Sequence, residues 1–132
     1  MKKVLLLSSG SPCRAVMAEG ILRKNSDKEI EFIGAGLEEN EKINQNAIKI
    51  LNQEGVNIDE LSPRTLKDVV KEDFDLIVTI CSHSRELCPQ FPRRVTTIHM
   101  DFPVIDDENE ESCKELAWKI KNRALPIILK SI

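Results

Sequence analysis

Lys3–Leu7 (KVLLL) runs directly into Ser8–Pro12 (SSGSP) and then into a stretch with helical spacing. This succession constrains the fold more than any other part of the chain. A short run that is apolar at every position suits a strand covered on both faces, as in a parallel sheet. Gly10 and Pro12 punctuate the loop that follows. From Cys13 to Lys24, Val16, Met17, Ile21 and Leu22 recur at helical intervals. A buried strand joined by a tight loop to a helix is the opening of a β–α unit.

The rest of the chain repeats the alternation. Glu29–Ile33 reads as a second strand, ended by Gly34-Ala35-Gly36. A helix is expected from about Ile43 to Glu54, with Ile43, Ala47, Ile50 and Leu51 on one face and Gly55 as its stop. Ser62-Pro63 forms a turn, and Leu66–Val70 a short helix. Asp75–Cys81 (DLIVTIC) is rich in β-branched residues and is the third strand. Ser82–Leu87 is a loop or short helix, and Val95–His99 is a fourth strand. The last helix is expected from Glu110 to Ala124, with Leu116, Ala117, Ile120 and Ala124 in one stripe. Pro126 should kink or end it, and Trp118 should lie in the core.

The expected fold class is therefore α/β: an open, mainly parallel four-stranded sheet with right-handed crossovers and helices on both faces. The 132 residues suit one domain spanning 1–132. With 41% hydrophobic and 31% charged residues, disordered and collagen-like classes are excluded. No apolar run is long enough to span a bilayer, and Met1–Leu7 lacks the apolar region and cleavage site of an export signal. A cytoplasmic protein with no membrane partner is expected. A net charge of -3, no Tyr and a single Trp leave no basic, aromatic-interleaved stripe for nucleic acid. In a reducing compartment Cys13, Cys81, Cys88 and Cys113 need form no disulfide framework. They contain no C-x-x-C pair and the chain has two histidines, so neither a metal nor a cofactor is expected.

Ligands of such sheets bind beyond the carboxyl ends of the strands. The loop after the first strand, Cys81 and the segment after the fourth strand all reach that edge. In Ser8-Ser9-Gly10-Ser11-Pro12-Cys13-Arg14, backbone N–H groups, a helix N-terminus and the forked guanidinium of Arg14 would suit an oxyanion. A plain turn accounts for the same residues, and spacing alone leaves both open.

Wider matches narrow the choice. Ser8 through Ala15 stands against a C-x5-R-[ST] motif. Met17-Ala18-Glu19-Gly20, Ala35-Gly36-Leu37, Ala47 through Asp59, Ser62 through Leu66, Phe74-Asp75 to Cys81, Cys88-Pro89 and His99 follow in order. With these features the chain resembles the low-molecular-weight protein tyrosine phosphatase family, and within it the thioredoxin-coupled arsenate reductase branch. The resemblance covers most of the chain. It implies that the Ser8–Arg14 loop binds arsenate or phosphate. It also implies that Cys81 is an attacking thiol, that Cys88 completes the disulfide handed to thioredoxin, and that Cys13 is a loop cysteine other than the nucleophile.

The chain departs from that pattern where the chemistry begins. Ser8 stands at the family's nucleophilic cysteine. A thiol can be drawn to its thiolate by a helix N-terminus and an arginine, but a serine hydroxyl needs an adjacent base. Ala15 replaces the hydroxyl residue that follows the arginine, and Ser11 replaces the loop asparagine. The family's Asp-Pro general acid is absent; Asp101 and Asp106 are the nearest candidates, within an acidic loop. The expectation is an arsenate reductase-like protein disabled as written. The alternatives are a phosphate- or phosphoprotein-binding module without turnover, and a tyrosine phosphatase. Glu19 either braces the loop or is solvated. His83 and Arg85 either tune a thiolate or lie on the surface, and Arg93-Arg94 is a small basic spot. Cys113 is incidental.

Overall fold

The computed structural model describes residues 2–9, 13–26, 29–37, 45–61, 63–81, 90–102 and 110–132. Strands β1 (Lys2–Ser8), β2 (Ile30–Gly36), β3 (Leu76–Cys81) and β4 (Thr97–Asp101) form one sheet in the order β2-β1-β3-β4. All three pairings are parallel. Helices α1 (Cys13–Asn25), α2 (Gln45–Gln53), α3 (Leu66–Val69), α4 (Glu110–Lys119) and α5 (Leu125–Ser131) connect and flank it. The α/β class and the open parallel sheet are as expected.

The two faces are unequal. Val4 and Leu6 of β1, with Leu76, Val78 and Ile80 of β3, pack under α1, α2, α4 and α5. On the other face Leu5, Leu7, Ile33 and Ile77 pack with Val69 of α3, Phe74, Phe91 and Val95. Helix α1 is buried from Cys13 to Leu22, so it is a central helix and not a half-exposed one. Each fully buried Leu or Ile here contributes roughly 1.5–3 kcal/mol.

Four expectations shift. The second strand continues through Gly34-Ala35-Gly36, because the α1 backbone lies against Gly34: a Cβ there would sit 2.5 Å from the Ala15 carbonyl oxygen. The fourth strand begins and ends two residues later than predicted. The last helix passes Ala124. Ile120–Ala124 widens into a π turn and Pro126 falls at the start of α5, where its missing N–H is least costly. Trp118 is 55% exposed, with the Arg123 guanidinium over its ring, and is not core. Gly55 ends α2 as expected, with φ +78°.

Candidate functional site

In a sheet ordered this way, the chain leaves β1 toward β2 on one side and returns to β3 on the other. The carboxyl ends of β1 and β3 are thus the topological switch point. Ser8 is the last residue of β1, in register with Gly36 of β2 and Ile80 of β3. It is fully buried, and its Oγ donates to the Ala35 carbonyl at 3.5 Å. Ser9 N–H donates to Ile80 O at 3.0 Å, which carries the loop's first residue onto β3. Gly10, Ser11 and Pro12 lie outside the described residues. The chain re-enters at Cys13, a buried thiol outside any disulfide and the first residue of α1.

Arg14 follows in the first turn of α1 and is 5% exposed. Its Nη2 donates to Ser9 O at 2.9 Å and its Nη1 to Phe102 O at 3.4 Å. Two bonds from different nitrogens fix the plane of a guanidinium that carries five donors. The arginine ties the exit of β1 to the segment after β4. The sequence reading identified Arg14 but not its Phe102 partner, because a backbone carbonyl leaves no signature in residue type.

Glu19 braces this region from below. It is fully buried, so the solvated alternative does not hold. Its Oε1 accepts from Gly34 N–H at 2.8 Å and from Arg64 Nη1 at 2.8 Å. Among the described residues its Oε2 has no hydrogen-bond partner. Arg64 also accepts Gly36 N–H at its carbonyl, and Thr65 bridges Gly36 in parallel. One carboxylate therefore joins α1, β2 and the segment before α3. Arg64 was missed by the sequence reading.

Cys81 ends β3, fully buried, with its sulfur in a disulfide; Cys13 and Cys113 are buried thiols outside any disulfide. Cys88, His83, Arg85 and Asp106 lie outside the described residues. Asp101 is in register with Cys81 at the exposed end of β4. His99 Nδ1 lies 3.1 Å from Thr79 Oγ1 and 3.7 Å from Cys81 Sγ. Strand alternation places Thr79, Cys81 and His99 on the face of Ile77, opposite to Ser8. His99 is two strands from β1, about 10 Å at the usual spacing, too far to act as a base on Ser8. Arg93 is held by Asp73 and by the carbonyls of Val70 and Glu72, so it is not a free basic spot.

The profile of the low molecular weight phosphotyrosine protein phosphatase family matches residues 3–115. The chain belongs to that family. It is 31% identical over 131 residues to an arsenate reductase of Halalkalibacterium halodurans, covering 99% of this chain and 92% of that protein. An arsenate reductase of Bacillus licheniformis is 30% identical over 122 residues, covering 92% and 86%. Among solved structures, an arsenate reductase in the phosphate binding state superposes with a TM-score of 0.82 at 22% identity over the whole of both chains. The Archaeoglobus fulgidus arsenate reductase gives 0.81 at 24% identity, covering 95% of this chain and 98% of that one. These structures share the fold. Among the described residues no helix is long and apolar enough to cross a membrane.

Proposed function

We propose that this member of the family binds a tetrahedral oxyanion, arsenate or phosphate, in the Ser8–Arg14 loop. In this reading Cys81 and Cys88 form a thiol–disulfide shuttle served by thioredoxin. The observation that carries it is Arg14, buried in the first turn of α1 with its guanidinium plane fixed at the switch point of the sheet. A helix N-terminus and a fixed guanidinium together favour a tetrahedral anion. The arsenate reductases among the relatives, and a structure of one in a phosphate-binding state, support the same ligand class. The disulfide at Cys81, with Cys13 and Cys113 in none, supports Cys88 as its partner.

Arsenate reduction by this route starts with a thiolate attacking arsenic. Ser8 offers a buried hydroxyl that donates to a carbonyl, and His99 is too far to deprotonate it. The oxyanion is therefore bound but not turned over. That same hydroxyl favours the second reading, a phosphate- or phosphoprotein-binding module without turnover. Titration calorimetry with phosphate and with arsenate tests the binding. The unaltered protein should bind both, and Arg14→Lys, which keeps the charge but loses the fork, should weaken binding roughly ten- to hundredfold. No binding by the unaltered protein, or equal binding by the variant, overturns the reading.

A further inference from the structure

The Cys81 sulfur lies against the imidazole of His99, with Nδ1 at 3.7 Å and Nε2 at 3.9 Å from Sγ, so it sits over the ring about equally far from both nitrogens. Thr79 Oγ1 is 3.1 Å from Nδ1 and 3.5 Å from the Ile98 carbonyl. A hydroxyl has one proton to give. With that proton on Ile98 O, Thr79 accepts from Nδ1–H, and the neutral ring keeps its lone pair on Nε2. The register places Thr79 opposite His99 and Cys81 opposite Asp101, so these four residues share the carboxyl end of the β3–β4 pair.

We propose that the imidazolium of His99 is the electrostatic partner that holds Cys81 as a thiolate. This rests on the reading of Cys81 as a redox thiol and assigns it a partner. When an external thiolate attacks the sulfur bonded to Cys81, the S–S bond breaks and its electron pair remains on Cys81 Sγ. The imidazolium of His99 stabilises that thiolate. In the opposite direction the Cys81 thiolate attacks one sulfur of a substrate disulfide; the new S–S bond forms as the old one breaks, and the other sulfur leaves as a thiolate. A thiolate is the competent nucleophile in both cases, and a neighbouring imidazolium raises its fraction.

On β4, Asp101 lies two residues along the same face, and its carboxylate favours the imidazolium. On β3, Thr79 and Cys81 are the facing polar groups. The segment packed over this face brings apolar Phe91 and Val95, and its Arg93 is held by Asp73. Of the residues on α3, Lys67 and Asp68 are exposed, and Asp68 caps its own helix.

The chain has two histidines, so imidazole proton–nitrogen correlation spectra of the full-length protein resolve His99, with His83→Asn as the assignment control. The titration midpoint of His99 is measured with the protein oxidised and after reduction by a phosphine. A thiolate within 4–6 Å should raise that midpoint by roughly one pH unit or more. Cys88→Ser, which leaves Cys81 a thiol under any condition, should show the raised value without reductant. Cys81→Ala should show no change on reduction. An identical His99 midpoint in Cys88→Ser and in the oxidised protein overturns the proposal, as does a rise that survives Cys81→Ala. The measurement uses no arsenate and does not involve the Ser8 loop. Loss of oxyanion binding therefore leaves it unaffected, and the two readings fail separately.

Discussion

Glu19 and Arg64 show how much one buried charge can organise. The carboxylate is fully buried, and Arg64 is its near neighbour at 2.8 Å, with Arg23 farther away at 3.8 Å and committed to the Phe32 carbonyl. Removing one partner of such a pair leaves the other uncompensated, a loss of 3–5 kcal/mol when both are buried and less here because Arg64 is partly solvated. Arg64→Met should lower unfolding free energy by about 2 kcal/mol in urea titrations. Glu19→Gln combined with Arg64→Met should recover part of that loss, and strict additivity of the two would contradict the pairing. Lys3 gives a pH-dependent counterpart. Its hydrogen bond to Glu72 raises its pKa above the ordinary 10.5, burial opposing, with Glu72, Glu31 and Asp73 adding attraction. A raised folded-state value means the contribution is complete below the unfolded pKa and is lost as pH rises through the folded one. Lys3→Met should therefore destabilise at neutral pH, and its difference from the unaltered protein should shrink above about pH 10.5. A constant difference across that range, by urea midpoint, would contradict the assignment.

The contact between α1 and β2 is set by a glycine. At Gly34 an added Cβ meets the Ala15 carbonyl oxygen at 2.5 Å and its carbon at 2.8 Å, both backbone atoms that cannot step aside. Gly34→Ala should cost about 2–3 kcal/mol and shift α1, the helix that carries Arg14. Gly20→Ala meets side-chain ends of Val56 and Leu61 instead and should cost less. Equal stabilities by urea unfolding would contradict this ordering. The same glycine explains where the sequence misled. Gly34 and Gly36 read as the end of the second strand, yet glycine inside a strand also marks close approach of another backbone. The apolar runs of β1 and β3 were legible because burial on both faces leaves a continuous pattern. Pro126 reads as a kink or an end because a regular α-helix cannot absorb it. The π turn over Ile120–Ala124 widens the backbone just before it, and the helical path continues.

For the molecule as a whole, strand order explains why distant segments meet. The order β2-β1-β3-β4 brings the end of β1, the start of α1 and the segment after β4 to one edge, where Arg14 joins Ser9 to Phe102. Arg14, Ser8 and Cys81 could be named from residue type and spacing. His99 beside Cys81, Arg64 beside Glu19 and the carbonyl partners of Arg14 required register and packing, which spacing does not encode. The pleat also turns Ser8 and Cys81 to opposite faces. The two residues nevertheless end neighbouring strands, with Ser8 in register with Ile80, the residue before Cys81. The central claim is that the chain binds the oxyanion and lacks turnover for want of a thiol at position 8. It is tested most directly by thioredoxin-coupled arsenate reduction with Ser8→Cys beside the unaltered protein. The account predicts turnover by Ser8→Cys and none by the unaltered chain. Absence of turnover in a folded, arsenate-binding Ser8→Cys, or turnover by the unaltered chain, would contradict it.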